Sequence, residues 1–65
     1  MSANEIRRLI VEAGYMTLAQ LQAIYPQEEH EVMAIYLTAL IQTRAIHKIE
    51  YKKGDGPVEV LYFHQ

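Results

Sequence analysis

Along the first thirteen residues the apolar positions fall at Ile6, Leu9, Ile10 and Ala13, a spacing of three and four that lines one face of a helix. Ser2 and Glu5 stand ahead of them in the S-x-x-E arrangement of a capping box, in which each side chain satisfies a free backbone N–H of the first turn. Gly14 follows, and glycine readily takes the left-handed backbone that closes helices. These signals predict a first helix from Ala3 to Ala13. Thr17 and Gln20 repeat the capping-box spacing, with Leu18, Leu21 and Ile24 as the apolar stripe behind it. Pro26 restricts Tyr25 to extended geometry and ends this short second helix. The intervening "YMT" is expected to form one short strand.

From Gln27 a longer third helix is expected, with Met33, Tyr36, Leu37, Leu40 and Ile41 on one side and no Gly or Pro before Gly54. Its acidic start, "QEEHE", suits the positive end of a helix dipole. Beyond Arg44 the period changes. "AIHKIEYKK" and "VEVLYFH" are rich in β-branched and aromatic residues and flank "GDGP", whose Asp55-Gly56 pair is a hairpin signal. The last strand carries Val58, Val60 and Tyr62 on one face and Leu61 and Phe63 on the other, and its outer side is expected to be free to add to a neighbouring chain.

The order helix, short strand, helix, helix, strand, strand resembles the winged helix-turn-helix domain, an α+β fold in which three helices pack on a hairpin called the wing. The resemblance covers nearly the whole chain. "TLAQLQAIYP" looks like the second helix of such domains, and "YLTALIQTRAIHKI" like the end of the third helix passing into the wing. In that family the latter stretch commonly carries two leucines three apart, a glycine four residues on, then an apolar pair. Leu37, Leu40, Arg44, Ala45 and Ile46 take those places here, so Arg44 stands where the glycine would be. Arg44 is expected to close the helix through a looser final turn. In size and layout the chain is also similar to the FeoC-like proteins, but it lacks the cysteine cluster that many of them carry in the wing. The resemblance implies one winged-helix domain over residues 1–65, a regulatory role and, as for many such regulators, a homodimer.

Sixty-five residues lie near the lower end of what folds alone without a metal, a disulfide or a partner subunit. The absence of Cys excludes disulfides and Cys-based zinc sites, so packing must hold the fold, and 51% of the residues are apolar. No apolar run reaches the roughly 18–20 residues that span a bilayer, and "MSANEIRR" lacks a secretory signal's apolar stretch, so the chain reads as cytoplasmic with no membrane partner. The net charge of −2 divides unevenly. Residues 1–43 hold Arg7 and Arg8 against Glu5, Glu12, Glu28, Glu29 and Glu31, whereas residues 44–65 hold Arg44, Lys48, Lys52 and Lys53 against Glu50, Asp55 and Glu59. The body is acidic and the tail mildly basic.

Catalytic chemistry finds little footing. The only serine, Ser2, is a cap, and the threonines have no neighbouring His and acid pattern. His30, His47 and His64 are too dispersed for a metal pair on one helix, although a hairpin could bring His47 and His64 together. "QEEHE" reads as a solvated helix start before it reads as an acid/base cluster, and "GDGP" lies between strands and so is a turn, not a phosphate loop. No enzyme activity, metal or cofactor is expected.

Two binding functions compete. In the winged-helix reading the third helix buries Met33, Leu37 and Leu40 and turns His30, Glu31, Ala34, Ile35, Thr38 and Gln42 outward, the face that enters the major groove in DNA-binding relatives. Base reading calls for Arg, Lys, Asn or Gln there, yet Glu28, Glu29 and Glu31 would meet phosphates with like charge. A DNA-binding regulator is ranked first, on the resemblance, with contact expected from Thr38, Gln42, Arg44, Lys48, Lys52 and Lys53, chiefly on the wing. The alternative is a protein-interaction module without DNA binding, using Glu31, Ala34, Ile35 and Thr38 as an apolar patch edged by acid. A helical phase shifted by one residue would instead place Ile35 in the core. Tyr15, Tyr25, Tyr51 and Tyr62 are expected to pack in the core or hairpin.

Overall fold

A computed structural model describes all of residues 1–65 and shows three helices against a three-stranded antiparallel sheet. Helix α1 (Ala3–Ala13) leads into strand β1 (Tyr15–Thr17) and helix α2 (Leu18–Ile24); a single 3-10 turn at Gln27–Glu29 precedes helix α3 (His30–Gln42); strands β2 (His47–Lys52) and β3 (Val58–Phe63) form the hairpin. The sheet order is β1-β3-β2. The short strand is therefore part of the sheet, not a separate element beside a two-stranded wing: Tyr15, Met16 and Thr17 pair with Phe63, Tyr62 and Leu61. This pairing makes β3 the central strand. Leu61–Phe63 is bonded on both sides, which corrects the expectation of a free outer side there and leaves only Val58–Val60 without a second neighbour.

Local chemistry accounts for the helix boundaries. The Ser2 hydroxyl accepts the Glu5 N–H at 3.2 Å, and Gly14 ends α1 at φ +87°. The first capping box is only half formed, because the Glu5 carboxylate accepts the Tyr25 hydroxyl at 2.7 Å instead of reaching back to Ser2. The second is complete: Thr17 Oγ1 accepts Gln20 N–H at 3.1 Å, and Gln20 Oε1 accepts Thr17 N–H at 2.9 Å. Tyr25, held extended by the following proline, breaks the chain out of α2. The third α-helix begins at His30 rather than Gln27, since the first turn winds tightly, with Glu29 N–H on Pro26 C=O at 2.9 Å.

The C-terminus of α3 departs further from expectation. Arg44 itself adopts the left-handed conformation, at φ +63°. Ala45 N–H reaches back to Leu40 C=O at 2.9 Å and Arg44 N–H to Ile41 C=O at 3.0 Å, the two bonds of a Schellman motif. The turn is tight, not loosened, and a side chain occupies the glycine position. Left-handed backbone costs a non-glycine residue roughly 1–2 kcal/mol. Arg44→Gly is expected to raise stability by about 0.5–1 kcal/mol after the glycine's larger unfolded-state freedom is set against it, a rise of a few degrees in melting midpoint. A midpoint that falls on thermal unfolding would mean that contacts of the Arg44 side chain outweigh its backbone strain.

The core collects residues from every layer: Ile6 and Ile10 from α1, Met16 from β1, Leu21 from α2, Met33, Leu37 and Leu40 from α3, Ile46 ahead of β2 and Tyr62 from β3, with Tyr25 at the α2 exit. Strand alternation explains which face of the sheet they occupy. Met16 and Tyr62 pair directly and point at the helices, so Tyr15, Leu61 and Phe63 point away. Tyr15 is accordingly 59% exposed and does not pack in the core. His47 lies across from Phe63, ring centroids 5.5 Å apart, and so is matched with an aromatic neighbour and not with His64.

Burial and the Glu5 carboxylate together push the Tyr25 phenol up to about 12, burial being the larger cause. Burial also raises Tyr62. A phenol whose pKa is higher folded than unfolded contributes stability that is whole below pH 10 and is lost as pH climbs through the folded value. Alkaline unfolding should thus set in between about pH 10 and 12, with Tyr25 accounting for on the order of 1–2 kcal/mol. Tyr25→Phe should flatten that part of the stability curve in chemical denaturation at stepped pH; an unchanged slope would exclude this role.

Candidate functional site

The joint between α2 and α3 sets the pose of the outward helix face. His30 Nε2 lies 2.9 Å from both Gln22 C=O and Tyr25 C=O, so this nitrogen carries a proton and donates to the carbonyls that the end of α2 leaves free. His30 is half-buried and turned into the joint, which corrects its expected place on the outward face. It acts as a strut that holds the start of α3 against the end of α2.

Beyond that joint, α3 buries Met33, Leu37 and Leu40, and the opposite side is open. Glu31, Ala34, Ile35 and Thr38 come together there and, with Ala39 and Gln42, line one shallow depression. Ile35 is 62% exposed, so it is a surface residue and the helical phase read from the sequence is correct. No cation borders the depression, and its only charged lining residue is Glu31. The Thr38 hydroxyl is already used, donating to Ala34 C=O at 3.0 Å one turn back. Gln42 is then the one long amide on this face.

The cations sit elsewhere. Lys48 pairs with Tyr62 and Lys52 with Val58 across the hairpin, so both project from the helix-side face of β2, with Glu50 between them. Lys48 Nζ makes the chain's only ion pair, 3.6 Å from Glu50 Oε1 and exposed at both ends. Such a pair adds little stability, yet it sets a carboxylate beside one of the four cations that a phosphate would meet. Lys53 opens the hairpin turn, whose C=O accepts Gly56 N–H at 2.9 Å. The central residues are Gly54, at φ +56°, and Asp55, one position ahead of the expected Asp55-Gly56 pair. Arg44 is exposed at the end of α3. Of the residues singled out for DNA, Arg44, Lys48, Lys52 and Lys53 thus follow the chain from the end of α3 to the hairpin tip, separate from Thr38 and Gln42 in the depression.

Two features lay outside the sequence reading. One is the Tyr25–Glu5 bond, linking residues twenty positions apart. The other is the outer sheet face, where Tyr15, His47, Ile49, Tyr51, Leu61 and Phe63 share one side by register. Its sole charged member is Glu59, which lies directly across from Tyr51 and holds that phenol above its ordinary value. Alternation in "YMT" and "VLYF" carried that signal, but only the β1–β3 pairing shows that the two stretches lie side by side. No protein-family model, curated protein or solved structure matches the chain. No helix is long and apolar enough to cross a membrane.

Proposed function

We propose that this chain is a small non-catalytic winged-helix regulator whose α3 face docks a protein partner. The helix and strand order together with the β1-β3-β2 sheet supports the winged-helix assignment. The observation that carries the docking reading is Ile35: a β-branched apolar side chain standing 62% exposed in a depression with Ala34 and Ala39, rimmed by Glu31. Apolar centre with polar rim is the anatomy of a protein interface. The partner that fits offers an apolar side chain flanked by Lys or Arg, since Glu28 and Glu29 in the turn before α3 and Glu31 in its first turn follow closely in the chain. The same glutamates oppose a phosphate backbone.

A second reading, DNA contact through the wing, is favoured by Arg44, Lys48, Lys52 and Lys53 lying between the end of α3 and the hairpin tip. One pair of experiments separates the two. A benzophenone side chain at Gln42 should photo-cross-link a cellular protein that the same group at Glu12, exposed on α1, does not reach. In parallel, wild-type chain should leave duplex DNA unshifted at low salt. A salt-sensitive shift abolished by Lys52→Glu with Lys53→Glu, and no Gln42-specific adduct, would replace the protein-docking reading with the DNA one.

A further inference from the structure

We propose that β2 is a self-recognition edge, through which two copies of this chain pair antiparallel about a twofold axis centred on Ile49. The inference is independent of the α3 face. As one of the two outer strands, β2 is bonded on one side only, to β3. No other backbone hydrogen bond reaches residues 47–52, so the outward N–H and C=O groups of this edge have no partner within the chain. Edge strands of this kind are templates for another strand unless their side chains forbid it.

The side chains of β2 select one arrangement. In a twofold antiparallel pair, a residue whose amide points outward must meet another that does, so only registers centred on a residue are possible. Centring on Lys48 sets that lysine against itself. Centring on Glu50 sets Glu50 against itself and Lys48 against Lys52. Centring on Tyr51 places Glu50 opposite Lys52 but forfeits His47 and Lys48. Centring on Ile49 matches the strand from His47 to Tyr51 and puts Lys48 opposite Glu50 of the second copy, and Glu50 opposite its Lys48.

This register makes two opposite-charge cross-strand pairs on the helix-side face, extending the existing Lys48–Glu50 pair into a four-membered network. On the outer face Ile49, 50% exposed in the single chain, meets its own copy, and His47 meets Tyr51. The two three-stranded sheets become one of six strands. The outer aromatic faces then run on across the seam. A second copy is favoured over a nucleic acid because that face bears no Lys or Arg and one carboxylate, Glu59.

The test uses the chain's lack of native cysteine. In sedimentation over a concentration series, wild type should pass from monomer to dimer. Glu50→Lys should weaken the dimer by about tenfold or more, by placing lysine against Lys48 twice, and Lys48→Glu should do the same with glutamates. The double swap Lys48→Glu with Glu50→Lys should restore it. Under mild oxidation Ile49→Cys should form a disulfide-linked dimer, because only position 49 faces itself, while Tyr51→Cys should not. All four positions are outside the core, and circular dichroism of each variant confirms folding. A wild type monomeric at millimolar concentration, a dimer indifferent to Glu50→Lys, or Tyr51→Cys linking as readily as Ile49→Cys would overturn the proposal.

Discussion

Leu37→Ala is expected to cost about 3 kcal/mol, within the roughly 2–5 kcal/mol typical of emptying a buried leucine site. Leu37 is 2% exposed in the centre of α3, the helix that packs against α1. A domain this small holds only about 3–5 kcal/mol from its core, so most of the margin goes with this one side chain. Urea unfolding should show the variant partly unfolded before denaturant is added. Ile6 and Ile10 face the site from a helix that is itself closed at both ends by Ser2 and Gly14, which limits its freedom to collapse into the gap. A loss below about 1 kcal/mol would mean that the helices move together and fill the site, and that the core is softer than its burial indicates.

Two residues earlier on the same helix the opposite result is expected. Ile35→Asp should leave unfolding within about 0.5 kcal/mol of wild type, since the side chain is already in water. It should weaken partner docking at least about 30-fold, equivalent to about 2 kcal/mol, because it sets a carboxylate at the apolar centre of the interface beside Glu31. Partner binding should be compared with chemical unfolding of the same preparation. Loss of binding together with loss of fold would return Ile35 to the core; full binding by a folded variant would move the interface off α3.

Where the sequence was informative, its signal was local. Ser2 and Gly14 bound α1 at the residues observed, and Thr17 with Gln20 start α2, because capping is settled within four residues. The apolar period placed Met33, Leu37 and Leu40 inward and Ile35 outward for the same reason. What escaped depended on partners distant along the chain or on a backbone choice that residue type disfavours. His30 looked like a surface residue until the free carbonyls of Gln22 and Tyr25 were placed beside it. Glu5 looked committed to its own helix start, but a tyrosine twenty residues on competes for its carboxylate. Arg44 looked incompatible with a left-handed turn, yet two backbone hydrogen bonds impose that turn. The candidate site was legible as a list of residues. The separation of its acidic, apolar face from its cations required the fold.

The pairing of Tyr15 with Phe63 joins segments forty-eight positions apart. All three helices leave the ribosome before that bond can form, and the hairpin must be nearly finished before β1 has anything to bind. Closing that pair costs the entropy of a long loop, a cost that the local pairing within the hairpin does not carry. Until β3 is made, Met16, a core residue of the finished molecule, lies on a strand without its partner, where another strand can take its place.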